Sequence, residues 1–234
     1  MSEIIETINY HDTTISYSHS NNDSSGYGCI TEIVRNDEYK LYQYNNIDGY
    51  FIDIGGNHGL ETCILAKMNP NAKIIVIEPI PELVERISKN VQLNDLTNVT
   101  IINKALGDGK NIKLSISNQY SGASSTIVSD KEHFARKYSG YRDIDVETIT
   151  FDSIINEYIP EGNEIELLKI DCEGGEYFLY DSDTFKKGII KNITGEFHNL
   201  KYNKKLNPSW NYDDLTTYVK KFVNGDVNIS YLSS

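Results

Sequence analysis

Between residues 50 and 106 three short apolar runs, "YFIDIG", "AKIIVIE" and "NVTIINKAL", alternate with two stretches of helical spacing, "LETCILAKM" and "PELVERISKNVQLN". Runs that are apolar at nearly every position predict strands buried on both faces. A strand, helix, strand, helix, strand order predicts that those strands lie parallel. The chain is therefore expected to form a doubly wound α/β domain, a mostly parallel sheet with helices on both faces. Local signals agree: Asn69 and Pro70 stop the first helix, Pro81 suits the first position of the second, and Leu83, Ile87 and Val91 fall on one face.

The pattern continues beyond a break. "KNIKLSISN" and "DIDVETIT" read as extra extended segments, with a loop in "SGASST" and a short helix in "SDKEHFARKYSG" between them. "IELLKID" and "IIKNITGEF" are further core strands, "YDDLTTYVKKFV" a helix and "VNISYL" a last strand. At the other end, residues 11–27 are polar and turn-rich and read as a surface loop or flap, and "CITEIVRNDEYKLYQY" as a lead-in helix. This divides the chain into a polar lead with its helix, residues 1–46, and the sheet domain, residues 47–234.

Composition narrows the partners. The 234 residues, 39% of them hydrophobic, suffice for one sizeable core, and the net charge of −12 opposes a sequence-independent grip on nucleic-acid phosphates. No run approaches the roughly 20 apolar residues of a membrane span, and the start lacks the basic and apolar regions of a signal peptide, so a soluble cytoplasmic protein is expected. Cys29, Cys63 and Cys172 are far apart and form no zinc or disulfide pattern.

The first strand runs into "FIDIGGNHGL", three glycines in five positions, where a doubly wound sheet binds its ligand. Gly55, Gly56 and Gly59 let the backbone turn sharply and approach that ligand. Glu78, at the end of the second strand, is placed to accept the two hydroxyls of a ribose. A dinucleotide fingerprint fails, because its second and third glycines fall on Asn57 and Leu60, and no Gly-Lys-Ser/Thr follows to make a phosphate loop. Asp53 within the turn also repels a pyrophosphate and suits a cationic ligand end. S-adenosylmethionine carries an adenosine, a sulfonium and an ammonium, and fits acids at both ends.

The series "FIDIGGNHG", "VIEPIPELVERISKNVQLN", "INKALGDG", "SGASS", "VETITFDSII" and "LLKIDCEGGEYFLY" resembles, in order and spacing, the FkbM-like family of S-adenosylmethionine-dependent methyltransferases. The resemblance covers roughly residues 50 to 200 and implies the Rossmann-like class I methyltransferase fold. It also implies that Asp53, Gly55, Asn57 and Gly59 cradle the methionine part, Glu78 the ribose, and Ile80 and Ala105 the two faces of the adenine. Two departures stand out. Gly56 occupies a position usually held by alanine, and the chain ends after a sixth strand where this fold normally has a seventh.

Methyl transfer is a direct displacement at the sulfonium methyl, so the protein must hold the acceptor in line, and a hydroxyl acceptor must also lose a proton. The candidates are Asp171 in "KIDCEGGE", expected to position methionine or acceptor, and Glu196 and His198 in "GEFHN", with His198 as general base. These three could instead ligate a hard divalent cation, although no metal ligand is assigned. The tyrosines, serines and arginines of "QYSGASSTIVSD" and "HFARKYSGYRD" suit a polyhydroxylated acceptor, and FkbM-like enzymes commonly methylate sugar or natural-product hydroxyls. The expected activity is thus O-methylation of a sugar or glycan precursor. Methylation of a nitrogen or carboxylate, and a binding protein without turnover, are the alternatives.

Overall fold

The computed structural model describes residues 3–21, 24–117, 124–125, 140–198 and 212–232. The chain opens with a hairpin, β1 (Glu3–Tyr10) and β2 (Thr13–Ser20), and a short helix, α1 (Ser25–Cys29), that continues as a π-helical turn over Ile30–Arg35. Then come β3 (Tyr50–Ile54), α2 (Leu60–Met68), β4 (Lys73–Ile77), α3 (Pro81–Leu93) and β5 (Val99–Ile102). A side structure follows, made of β6 (Ala105–Leu106), β7 (Ile112–Ser117), β8 (Ser124–Ser125), β9 (Tyr141–Val146) and β10 (Thr148–Ile149). The last elements are α4 (Phe151–Tyr158), β11 (Ile165–Ile170), β12 (Ile190–His198), α5 (Tyr212–Val219) and β13 (Val227–Leu232).

Six strands pair in parallel in the order β13-β12-β11-β3-β4-β5, the doubly wound sheet that the apolar runs predict. The winding runs outward from β3 through β4 to β5, then resumes at β11 on the other side of β3. The switch point therefore lies between β3 and β11, and their carboxyl ends open the crevice where such sheets bind ligands.

Alternation along each strand supplies a core to both faces. Ile52, Ile54, Ile75, Ile77, Leu168 and Ile170 join Phe151, Ile154 and Phe185 on one side. Phe51, Ile74 and Leu167 join Leu60, Ile64 and Leu65 of α2 on the other, together with Ile8, Tyr10, Ile15 and Tyr17 of the hairpin. The amino-terminal segment is thus a layer of the core, where the sequence predicts a surface loop. The polar residues that suggest a loop are used in pairing. Asn90 of α3 exchanges hydrogen bonds with the backbone of Ser18 at 2.7 and 3.1 Å, and Asn94 with that of Ser16 at 2.8 and 2.8 Å. Two asparagines four residues apart on one helix face thereby replace a strand along the edge of β2.

Two further differences are local. "NVTIINKAL" breaks after Ile102, where Asn103 donates from Nδ2 to the carbonyls of Glu78 and Pro79, each at 3.0 Å, and Ala105–Leu106 pair instead with Thr148–Ile149. The lead-in helix is shortened to α1 and its π-helical turn, with a single 3-10 turn at Leu41–Gln43. The helix expected at 129–140 and most of the insertion around it lie outside the described residues. Among the described residues no helix is long and apolar enough to cross a membrane.

Candidate active site

The glycine turn begins where β3 ends. Gly55 adopts φ +86, and a Cβ there would lie 1.8 Å from the carbonyl oxygen of Asp171, so only glycine lets the ends of β3 and β11 approach this closely. The amide of Asp171 donates to the carbonyl of Ile54 at 2.9 Å, which ties the two ends together. At Gly56 an alanine methyl would stand 2.3 Å from Cγ2 of Val76. Glycine at this position, in place of the usual alanine, follows from the valine beneath it. Asn57 is left-handed, with φ +48, and Gly59 (φ +81) precedes α2. His58, although set in a stretch of turn residues, is 2% exposed and shares a 2.8 Å hydrogen bond with Ser25.

The Glu78 carboxylate accepts from the amide of Asn57 at 2.9 Å and from that of Ile80 at 2.8 Å, so it braces the glycine turn from the end of β4. Ile80 and Ala105 belong to a small apolar cluster with Leu83, Leu114, Ile116 and Val146, a wall of the kind a flat heterocycle requires. The Oδ1 of Asn57 is buried within the turn and has no hydrogen-bond partner among the described residues. A buried acceptor with no protein partner is free to take a donor group of a ligand seated on the turn. These are the residues that the sequence expects to cradle S-adenosylmethionine, and the turn, the acid and the apolar wall lie together at the switch point.

Asp53 is held otherwise than the sequence suggests at first sight. Its carboxylate is fully buried, accepts from Oγ1 of Thr62 at 2.5 Å, and faces Nζ of Lys169 at 3.2 Å. Lys169 is the residue directly opposite Asp53 across β11 and β3. Its Nζ also donates to the carbonyl of Gly55 at 2.8 Å and lies 3.9 Å from Glu61. Burial alone would pull this ammonium down, but Asp53, Glu61 and Asp171 outweigh it and raise its pKa above the ordinary lysine range. Sequence reasoning passed over Lys169, although a lysine inside the apolar run "IELLKI" is itself a signal of a buried partner.

Asp171, Glu196 and His198 come together at the carboxyl ends of β11 and β12. Glu196 and His198 stand two apart on the same face of β12, and Asp171 is the residue after β11. Asp171 accepts from the Tyr39 hydroxyl at 2.9 Å through Oδ2, a contact across 132 residues that no sequence signal announces. Glu176, completely buried, takes Nδ1 of His198 at 2.9 Å and the amides of Cys172 and Gly174 at 3.1 and 2.9 Å. Nε2 of His198 faces Glu173 at 3.5 Å and Asp171 and Glu196 at 3.9 Å. Burial alone would lower the His198 pKa, but Glu176, Glu173 and Asp171 together hold it well above the ordinary value. Burial, with Asp171 and Glu38 adding repulsion, pushes Glu196 up to about 8.

Burial likewise pushes Glu78 up to about 7 and Glu61 up to about 8. A carboxyl whose folded pKa exceeds its unfolded one binds more protons when folded, so its contribution is full at acid pH and is lost as pH rises through the folded value. Thermal melts should therefore show the melting temperature falling by several degrees between about pH 5 and pH 8, and Glu78→Gln should make that fall shallower. A melting temperature that rises over this interval would contradict the burial assigned to these acids.

The doubly wound sheet, the glycine turn at its switch point and the acid closing the next strand define a class of nucleoside-binding α/β proteins. Within that class, the family model of the methyltransferase FkbM domain matches residues 53–223, and the chain belongs to this family. It is similar to methyltransferase sdnD of Sordaria araneosa, at 29% identity over 63% of this chain and 65% of that protein. It is also similar to methyltransferase 1 of Beauveria bassiana, at 24% identity over 64% of each chain. A tRNA (guanine-N(7)-)-methyltransferase of Mycoplasmopsis synoviae matches at 24% identity, over 70% of this chain and 77% of its own. The match thus spans just under two thirds of the length of the first two of these relatives.

Proposed function

We propose that this chain is an S-adenosylmethionine-dependent O-methyltransferase that methylates a hydroxyl of a sugar or glycan precursor in the cytoplasm, with residues 47–234 as its catalytic domain. The observation that carries the reading is the contact of two turns. The donor cradle at Gly55 touches the backbone of Asp171, and Asp171 leads directly into the cluster with Glu196 and His198. S-adenosylmethionine supplies an electrophilic methyl group. The chain's own residues do the rest: Gly55, Asn57 and Gly59 hold the amino-acid part, with Asp53 fixing the turn through Lys169, while Glu78 takes the ribose and Ile80 and Ala105 flank the adenine. Asp171 orients the acceptor oxygen, and Glu196 and His198, in the fraction of molecules in which they are deprotonated, receive its proton. A basic cluster beside the transfer point supports a hydroxyl, which must lose its proton as the new bond forms.

The second reading, methylation of a nitrogen, draws support from the tRNA-methylating relative, while the net charge of −12 opposes a nucleic-acid acceptor. The test is incubation with methyl-labelled donor and parallel acceptors: free sugars, nucleotide-linked sugars, glycans, amines and tRNA. The expected product carries the methyl group on a sugar oxygen. His198→Ala should lower kcat on that acceptor about 10²- to 10⁴-fold, with donor affinity little changed. Label on nitrogen or RNA, or an undiminished kcat, would sink the proposal.

A further inference from the structure

The cluster at the ends of β11 and β12 has an organisation that proton transfer alone does not explain. His198 is 5% exposed, and its Nε2 has no hydrogen-bond partner among the described residues. That nitrogen nevertheless points between carboxylates on three sides, at 3.5 Å from Glu173 and at 3.9 Å from both Asp171 and Glu196. Separations of this size are too long for hydrogen bonds. They suit atoms that share a cation: with ligand bonds of about 2.1–2.4 Å, two ligands 3.9 Å apart subtend roughly 110–135° at the ion. One ligand atom from each of Asp171, Glu196 and His198 lies within 4.8 Å of the others.

Each donor is also held as a ligand is held. The other ring nitrogen of His198 is bonded to the buried Glu176 at 2.9 Å, which aims Nε2 inward, so that a cation displacing the ring's second proton would meet its lone pair, the carboxylate–histidine arrangement that orients metal-bound imidazoles. Glu176 is itself fixed by the amides of Cys172 and Gly174. The Tyr39 hydroxyl occupies Oδ2 of Asp171 and leaves Oδ1 facing the histidine. The surroundings are anionic, with Glu32 and Glu38 repelling Asp171 and Glu196, so the gathered negative charge favours a divalent cation.

We infer that Asp171, Glu196 and His198 form a divalent-cation site, with Glu176 as the residue that positions His198. Two carboxylates and one imidazole suit Mn²⁺, which accepts both hard oxygen and imidazole nitrogen. The inference uses the cluster of the proposed reaction but does not require that reading, because the cation binds without donor or acceptor. If both hold, His198 would serve the reaction as a ligand, the cation would make the acceptor hydroxyl more acidic, and Glu173, in place of His198, would take its proton. The bonds that break and form remain S–CH₃, O–H and O–CH₃.

The test is titration of the chelator-treated full chain with MnCl₂, read by calorimetry and by the loss of the free Mn²⁺ paramagnetic resonance signal, with and without demethylated donor product. One equivalent of Mn²⁺ should bind to the wild type. Glu196→Gln and His198→Gln should each weaken binding at least about tenfold, and Glu176→Gln about tenfold through misorientation of the ring. Glu157→Gln, an exposed acid of α4, should leave it unchanged. Absence of wild-type binding below about 1 mM, an affinity of no more than about 4 kcal/mol, would overturn the inference. So would binding that survives in both ligand variants, with circular dichroism confirming that each remains folded. Failure of methyl transfer in the presence of bound Mn²⁺ would instead count against the proposed reaction alone.

Discussion

Lys169→Met should destabilise the fold by about 3–5 kcal/mol at neutral pH. The substitution keeps most of the side-chain volume in a strand position that is 1% exposed, so packing is nearly conserved and the loss falls on charge. Removing the ammonium leaves Asp53 of β3 and Glu61 of α2 buried with no cation between them, and frees the carbonyl of Gly55 that Lys169 holds at 2.8 Å. An uncompensated buried carboxylate must either remain charged at great expense or take up a proton. Urea denaturation should therefore show the loss shrinking as pH is lowered and the acids are neutralised. A loss below about 1 kcal/mol, or one that does not change with pH, would mean that the pair contributes little beyond its volume.

Gly55→Ala should abolish donor binding even where the chain still folds. Its methyl would need to occupy a point 1.8 Å from a backbone oxygen and 2.8 Å from a backbone carbon of Asp171, and neither belongs to a flexible side chain. The backbone angle of +86 adds a penalty of about 1–2 kcal/mol for any residue with a Cβ. The simplest relief is to part the ends of β3 and β11, which moves the donor cradle and the acid cluster away from one another. A displacement near 1 Å between reacting groups lowers turnover about a hundredfold. Donor affinity within threefold of the wild type would show that the cradle lies elsewhere.

Much of this was legible in the chain itself. The parallel sheet follows from apolar runs such as "KIIVI", which have no polar face to expose. The switch point follows from glycines placed where a strand ends, and the family from the ordered series of motifs. What stayed hidden depends on distance in sequence. Tyr39 reaches Asp171 from far upstream, and the hairpin of Glu3–Tyr10 and Thr13–Ser20 joins the core through Asn90 and Asn94, whose amides pair with backbone in a way that composition does not reveal. His58 sits in a stretch of turn residues yet is buried, because the hairpin and α1 cover it. Lys169 was readable in part: its position in a buried strand announces a partner, but only the register of β11 on β3 says that the partner is Asp53. The cation-like geometry around His198 likewise needs the facing of β12, since sequence gives the residues but not the 3.9 Å separations.

The most direct test of the central claim is calorimetric titration of the purified chain with S-adenosylmethionine, its demethylated product and NAD in parallel, with Gly55→Ala beside the wild type. Binding of the first two at one equivalent, silence with NAD, and loss of binding in Gly55→Ala is the expected result. A response to NAD alone would contradict the assignment of "FIDIGGNHGL" as the cradle of a methyl donor.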